Sequence, residues 1–329
     1  MQAHLTYILT VIVLPMIAGY LIRYHQRTQP TQAACDRWSR RLKIACLGYL
    51  IPPVVVIAII QRPLSGTNVL AMGAIGVTCL LCGALLGRIY IAIRRMPPRQ
   101  AGAFLGCASM ANMFSFGGLI VFSFWKNDGL QQLYLFELFK HFLYFGVFYP
   151  WCATFGRALG QKRPSLIGSF RAYPITLIPI GAVVIGLVMN FVIHGVNALS
   201  VTLPDWLMSV NGILVPLHVG LLTFAVGLTL RPSRISSYWL ECMAVNVIAF
   251  VARPAITAGA AMACLALGWI DMLGFRAAIL LAAMPVAFNS LIPPALYDLD
   301  MDLANSCWIC STVVMLIMVP GMYMFAGIG

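Results

Sequence analysis

The chain is built around ten apolar stretches that follow one another with only short gaps between them. They run over about 5–24, 43–60, 67–88, 101–124, 130–155, 173–194, 206–229, 237–268, 274–297 and 303–327. An α-helix needs about 20 mostly apolar residues to cross the hydrocarbon core of a bilayer. The pattern therefore predicts an all-α polytopic membrane protein with about ten transmembrane helices, embedded in lipid and without an extramembrane domain.

The composition agrees with a lipid-facing surface. Hydrophobic residues make up 61% of the chain and charged residues 9%, whereas soluble domains carry roughly 25% charged residues. The net charge of +12 does not indicate nucleic-acid binding, because the basic residues lie in short clusters between apolar stretches. Most of the ten cysteines lie inside those stretches, where Cys packs as a small hydrophobe. We predict neither a metal site nor a cofactor.

The positions of Lys and Arg orient the spans. Sixteen of the 21 basic residues lie after spans one, three, five and seven, within 23–43, 88–99, 157–171 and 231–234. Cytoplasmic loops carry an excess of Lys and Arg. We therefore predict a multi-pass protein of the plasma (cell inner) membrane with both termini on the non-cytoplasmic side.

Ten spans divide into two halves of five, 1–156 and 173–329, joined by a cytoplasmic linker at 157–172. Because five is odd, the second half enters the membrane from the opposite side, as in the inverted repeats of many secondary transporters. Spans four and nine each combine helix breakers with a central Asn. These candidate binding residues are Asn112 and Gly117 in span four, and Pro285, Asn289 and Ser290 in span nine.

Breaks at matching positions in both halves favour a binding site, since broken helices free backbone groups that a polar ligand can satisfy. Taken singly, each break is better explained as an ordinary kink, because Gly and Pro are frequent in membrane helices.

The stretch 280–289, Leu-Leu-Ala-Ala-Met-Pro-Val-Ala-Phe-Asn, resembles span nine of the auxin efflux carrier family, which includes bacterial carriers of malonate and malate. Ala111-Asn112 followed by Gly117 is similar to the family's span-four motif, although Ala111 and Leu119 replace its usual Gly and Pro. The opening 14–21, Leu-Pro-Met-Ile-Ala-Gly-Tyr-Leu, is similar to the family's first span.

This resemblance implies the fold of the bile-acid sodium symporters. Spans one, two, six and seven would form a scaffold. Spans three to five and eight to ten would form a transport unit, in which the broken helices of spans four and nine cross near the substrate.

Charged residues inside the predicted spans are candidate functional groups, because charge in a bilayer is costly. Arg253 in span eight either attracts an anionic substrate or pairs with Glu241, Glu137 or backbone carbonyls. In span five, Glu137, Lys140 and His141 share one helix face. Lys140 is a candidate second anion contact, and Glu137 and His141 are candidate proton carriers; a mutually satisfied polar cluster explains all three equally well.

These features predict a secondary transporter that moves a small organic anion, a carboxylate, by alternating access, with proton coupling left open. A nucleotide-binding loop and clustered catalytic side chains are missing from the sequence, so we expect neither ATP-driven transport nor an enzyme. The alternatives are a sodium-coupled organic-anion symporter, or a channel or sensor with the same fold. Gly83-x-x-x-Gly87 permits close helix packing within the chain or in a homodimer.

Overall fold

A computed structural model describes residues 8–26, 29–60, 66–156, 171, 174–195, 204–230 and 232–326. These described residues are about 89% helical and include no β-strand. Counting π and 3₁₀ turns with the helices they extend, the helices are α1 8–25, α2 29–60, α3 Thr67–Arg94, α4 Pro98–Ser109, α5 113–137, α6 140–153, α7 174–195, α8 Asp205–Gly227, α9 232–266, α10 Met272–Ala282, α11 288–297 and α12 Met301–Ala326.

Within the described residues, four helical segments are long and apolar enough to cross a membrane: Thr67–Arg94, Leu177–His194, Arg234–Ala266 and Met301–Met318. Three shorter apolar segments accompany them, Thr10–His25, Gly212–Gly227 and Met272–Ala282. The all-α class predicted from the sequence is confirmed, and these helices are compatible with a membrane protein. The predicted linker 157–172 lies outside the described residues except for residue 171.

One group of helices consists of α1, α2, α7 and α8. Helices α1 and α8 touch backbone to backbone at Gly19 and Gly227, where a Cβ atom on Gly19 would collide with the Phe224 carbonyl oxygen. The second half of α2 packs on α7, and the Asn190 Nδ2 atom donates to the Ile59 carbonyl oxygen at 2.8 Å. A buried amide bonded to a neighbouring backbone fixes the relative position of these two helices.

In the second group, formed by the remaining helices, α3 packs on α4, α5, α6, α9 and α10. Its glycines allow close approach of α4 and α5, since a Cβ on Gly83 would collide with the Ala108 carbonyl oxygen and one on Gly76 with the Phe136 carbonyl oxygen. Small residues at such positions let membrane helices pack tightly. Helix α9 packs on α3, α10 and α12 in the same group.

Helix α5 folds back on itself within 118–137. A Cβ on Gly129 would collide with the Val121 carbonyl oxygen, and one on Gly118 would lie 3.3 Å from Leu133 Cδ2. In a straight helix, residues 15 apart are separated by about 22 Å. The chain therefore reverses direction near Gly129, close to where the sequence places the gap between spans four and five.

Candidate functional site

Two broken helices cross at the centre of the second group of helices. Helix α4 ends at Ser109 and helix α10 ends at Ala282, and the segment after each helix is non-helical for a few residues. Ala111 pairs antiparallel with Val286. The Asn112 N–H donates to the Pro285 carbonyl oxygen at 2.7 Å.

The crossing satisfies backbone groups that the helix breaks would otherwise leave free. The Ala287 N–H donates to the Met110 carbonyl oxygen at 3.0 Å, and the Val286 N–H donates to Ser311 Oγ at 3.1 Å. Pro285 has no N–H to satisfy. Buried backbone groups must find partners inside the protein, so the two breaks stabilise each other.

A cavity of about 60 Å³ lies between this crossover and the helices α2 and α8. A buried water needs about 10–15 Å³ of such free space, so the cavity has room for several waters or a small molecule. Valine and isoleucine side chains of α2 and α8 form its apolar wall. Its polar lining consists of Asn112, Glu137, His141, Tyr144, His218 and Asn289. We call it the crossover cavity.

Two polar groups at the cavity have unused hydrogen-bonding capacity. Asn112 is 5% exposed, and its Nδ2 atom has no hydrogen-bond partner among the described residues. His218 interacts with the side chain of Asn289, while its Nδ1 atom is buried without a partner. An unsatisfied buried polar group costs about 1–3 kcal/mol. A ligand that accepts a hydrogen bond from Asn112 would offset this cost.

Asn289 is held in place through its backbone. The Tyr149 hydroxyl, on α6, donates to the Asn289 carbonyl oxygen at 2.7 Å. Asn289 lines the crossover cavity, as does Asn112. The cavity is thus lined by one Asn from each of the two broken segments.

Lys140 is paired with Glu137. Its Nζ atom lies 2.6 Å from Glu137 Oε1 and 2.6 Å from Met113 Sδ, and Lys140 is 0% exposed. His141 Nδ1 lies 3.2 Å from the Glu137 carbonyl oxygen. Glu137 and His141 line the cavity, whereas Lys140 is set back from it. The arrangement favours the mutually satisfied cluster over a direct anion contact by Lys140.

Arg253 lies behind the crossover and does not line the cavity. It is 1% exposed, and its Nη2 atom donates to the Met284 carbonyl oxygen at 2.6 Å. In the part of the chain that the structure describes, its Nε and Nη1 atoms have no hydrogen-bond partner. Of the alternatives considered from the sequence, a backbone carbonyl is therefore the observed partner, while Glu241 lies 4.0 Å from Arg94.

The other predicted site residues shape the crossover without lining the cavity. Pro285 accepts the Asn112 N–H through its carbonyl oxygen. Ser290 Oγ donates to the Ala287 carbonyl oxygen at 2.7 Å. A Cβ on Gly117 would lie 2.9 Å from Leu281 Cδ2. Gly117 and Ser290 are thus packing and capping residues in this structure.

The sequence analysis did not single out Tyr144 and Tyr149. Tyr144 follows Glu137 by seven residues and His141 by three, a spacing that places them on one helix face, and this signal could have identified it. Tyr149 hydrogen-bonds to Asn289, which lies 140 residues away in the sequence. A contact between such distant residues cannot be predicted from a local sequence pattern.

The described residues contain no group of three or more His, Cys, Asp or Glu side chains arranged to hold a metal ion. The acidic link before α12 is bonded to protein groups: Asp298 Oδ1 lies 2.8 Å from Arg99 Nη2, and the Tyr238 hydroxyl lies 2.9 Å from Asp300 Oδ2.

Comparison with known proteins adds no relative. No protein-family model matches the chain, and no curated protein matches it significantly. The resemblance to the auxin efflux carriers therefore depends on the short motifs in spans one, four and nine, and the functional argument depends on the geometry of the crossover.

Proposed function

We propose that the protein is a secondary transporter of the auxin efflux carrier type, which moves a small organic anion with a carboxylate across the plasma membrane by alternating access. The observation that supports this most is the crossing of two broken helices beside a cavity that holds an unpartnered amide donor, Asn112 Nδ2. In many transporters discontinuous helices form the substrate site near the bilayer midplane.

The charges around the crossover favour an anion. Lys140 and Arg253 supply two buried cations, and Glu137 supplies one carboxylate. Two guanidinium nitrogens of Arg253 have no hydrogen-bond partner. A bound carboxylate would balance this excess positive charge, and its oxygens would accept hydrogen bonds from Asn112. Glu137 and His141, both at the cavity, are the candidates for proton coupling.

The packing supports a scaffold unit and a separate transport unit. In the proposal, ten spans form a 5+5 inverted repeat, with 1–156 and 173–329 as the halves. The helices α1, α2, α7 and α8 form the scaffold, and the other helices form the transport unit. The crossover cavity lies between the two units, so a movement of the transport unit against the scaffold would carry a bound anion past its apolar wall.

A test of this proposal is uptake of labelled malonate, malate and phenylacetate into proteoliposomes, with and without imposed pH and sodium gradients. We expect uptake of at least one acid, and its loss in Asn289→Ala. Asn190→Ala is the matched control, because this buried Asn bonds Ile59 away from the cavity. A strict sodium requirement would favour the sodium-coupled symporter, and passive flux without saturation would favour a channel.

The absence of uptake of every acid under every gradient would contradict the proposal. Equal uptake by wild type and Asn289→Ala would contradict the assignment of the site to the crossover.

A further inference from the structure

A second, larger cavity opens at the arginine-rich end of the molecule. Its volume is about 690 Å³, and polar side chains form most of its wall. Ser39 of α2, Thr229 just after α8 and Met301 at the start of α12 are among the lining residues. The charged residues of the lining are Arg40, Arg99, Arg234, Asp36, Asp298, Asp300 and Asp302. The positive-inside rule places this end in the cytoplasm. We call this cavity the polar vestibule.

One face of α2 connects the two cavities. Ser39 and Arg40 line the polar vestibule, and Ile51 and Val55 line the crossover cavity. Residues three or four apart share a helix face, so Lys43 lies on this face between the two cavities. At 1.5 Å per residue, Lys43 is roughly 12 Å along the helix from Ile51.

Helix α8 shows the same continuity. Val219 lines the crossover cavity and Thr229 lines the polar vestibule. Leu222 and Val226 follow at helical spacing between them and are buried. The two cavities therefore lie along the same faces of α2 and α8, separated by a layer of buried side chains that includes Lys43, Leu47, Leu222 and Val226.

Lys43 is the charged side chain of α2 in that layer. It is 0% exposed, and its Nζ atom hydrogen-bonds to Met301 Sδ at 3.2 Å. Within the described ranges no carboxylate lies within salt-bridge distance of it; Asp36, seven residues earlier on α2, attracts it electrostatically, and Asp36 Oδ1 also lies 2.6 Å from Arg23 Nη1. A thioether is only a weak hydrogen-bond acceptor, so two N–H groups of this buried ammonium are left without a good acceptor.

The environment of Lys140 shows what a satisfied buried Lys looks like in this protein. Lys140 also contacts a Met sulfur, but it has Glu137 as a counter-ion at 2.6 Å. Among the described residues, no carboxylate lies at that distance from Lys43, and Asp36 acts on it only through a longer-range attraction. A buried charge without its partner is costly, and an ionisable residue at membrane depth is by default a candidate functional group.

We infer that Lys43 is a second carboxylate-binding residue, located on the path between the polar vestibule and the crossover cavity, with Met301 as its cover on the vestibule side. This inference rests on the proposed function, since the ligand is the same small organic anion. Met301 lines the vestibule, and a Met side chain is unbranched and flexible, so its displacement exposes the ammonium to an anion in the vestibule.

The test uses uptake into inside-out and right-side-out membrane vesicles, with whichever of malonate, malate and phenylacetate the wild-type protein takes up fastest. For Lys43→Met, we expect KM to rise about tenfold or more for the acid presented at the arginine-rich side, because one charge-assisted contact is lost. We expect KM from the opposite side to stay within about twofold of the wild-type value.

Arg41→Met is the matched control. Arg41 is an exposed cation on the same helix that stacks on Trp38, so this variant removes an equal charge from the same end without touching the path. Met301→Ala is expected to lower KM on the arginine-rich side, because it uncovers Lys43. The melting temperature of Lys43→Met is expected to match or exceed that of the wild type, since a neutral isostere needs no buried counter-ion.

Unchanged KM on both sides in Lys43→Met, with a raised melting temperature, would overturn the inference and make Lys43 a structural residue only. An equal effect of Arg41→Met would overturn it as well, because surface potential would then explain the result. Asn289→Ala distinguishes failure of the proposed function from failure of this inference. If Asn289→Ala abolishes uptake while Lys43→Met leaves uptake unchanged, only the inference about Lys43 fails. A wild-type protein that takes up none of the three acids would overturn both.

Discussion

The Glu137–Lys140 pair allows the energetics of the buried site to be measured. Both side chains are almost fully buried, 3% and 0% exposed, and the charged atoms lie 2.6 Å apart. Removing one member of a buried pair costs about 3–5 kcal/mol, because it leaves an uncompensated charge. Glu137→Gln keeps the shape of the side chain and a hydrogen-bond acceptor. We therefore expect the free energy of unfolding to fall by about 3 kcal/mol, near the lower end of this range.

Removing both charges has a different effect. Replacing a buried ion pair by neutral groups of similar volume is often neutral or stabilising. We therefore expect the double variant Glu137→Gln, Lys140→Met to unfold within about 1 kcal/mol of the wild type, or to be more stable. The two single variants and the double variant form a cycle whose coupling energy isolates the pair.

The assay is equilibrium unfolding in mixed detergent micelles, followed by tryptophan fluorescence and by circular dichroism. The control is the exposed pair of Arg99 and Asp298, whose charged atoms lie 2.8 Å apart with side chains 58% and 81% exposed. Exposed pairs contribute about 0–1 kcal/mol, so Asp298→Asn should cost no more than that. A loss below about 1 kcal/mol for Glu137→Gln would refute the reasoning, because the pair would then behave like the exposed one.

Three further predictions concern the crossover and its supports. Asn112→Ala is expected to weaken acid binding about tenfold or more, because it removes the proposed amide donor. The same change is expected to stabilise the fold by about 1 kcal/mol, because the buried amide is unsatisfied without a ligand. Binding and unfolding assays on one preparation measure both effects. Tyr149→Phe removes the hydrogen bond to the Asn289 carbonyl oxygen. We expect the free energy of unfolding to fall by about 0.5–1.5 kcal/mol in the same assay, and acid binding to weaken. Gly76→Val places a branched side chain against the Phe136 carbonyl oxygen, so we expect a loss of more than about 3 kcal/mol, measured as a fall in melting temperature and in yield of folded protein.

Each of these predictions has an outcome that contradicts it. Unchanged acid binding in Asn112→Ala would exclude its amide as a ligand contact. Binding by Tyr149→Phe at wild-type affinity would show that Asn289 does not need this support. For the glycine, the comparison is Gly181→Val, where a Cβ atom meets nothing within 4 Å; equal losses in the two variants would mean that the close approach of α3 and α5 is not the cause.

The broken helices could be predicted from the sequence because their cause is local. Gly, Pro and Asn near the middle of spans four and nine predicted both breaks, and the structure places those breaks at 110–112 and 283–287. The helical spacing of Glu137, Lys140 and His141 likewise predicted a cluster on one face, and the structure brings these three side chains together.

The remaining features depend on contacts between distant segments. The sequence left the partner of Arg253 open, and the carbonyl of Met284 becomes that partner only after α9 packs against the crossover. Ser290 looked like a ligand contact but bonds its own turn. Lys43 counted in the sequence only as one more basic residue at the end of a loop. Its complete burial arises from the packing of α2 against Met301, 258 residues away.

The central claim is that the crossover cavity binds an organic anion. Equilibrium binding of labelled malonate, malate and phenylacetate to the purified protein, with choline and glucose as cationic and neutral comparisons, tests this claim most directly. The account predicts saturable binding of at least one acid that is lost in Asn289→Ala and retained in Asn190→Ala. Binding of choline or glucose with no binding of any acid would contradict it.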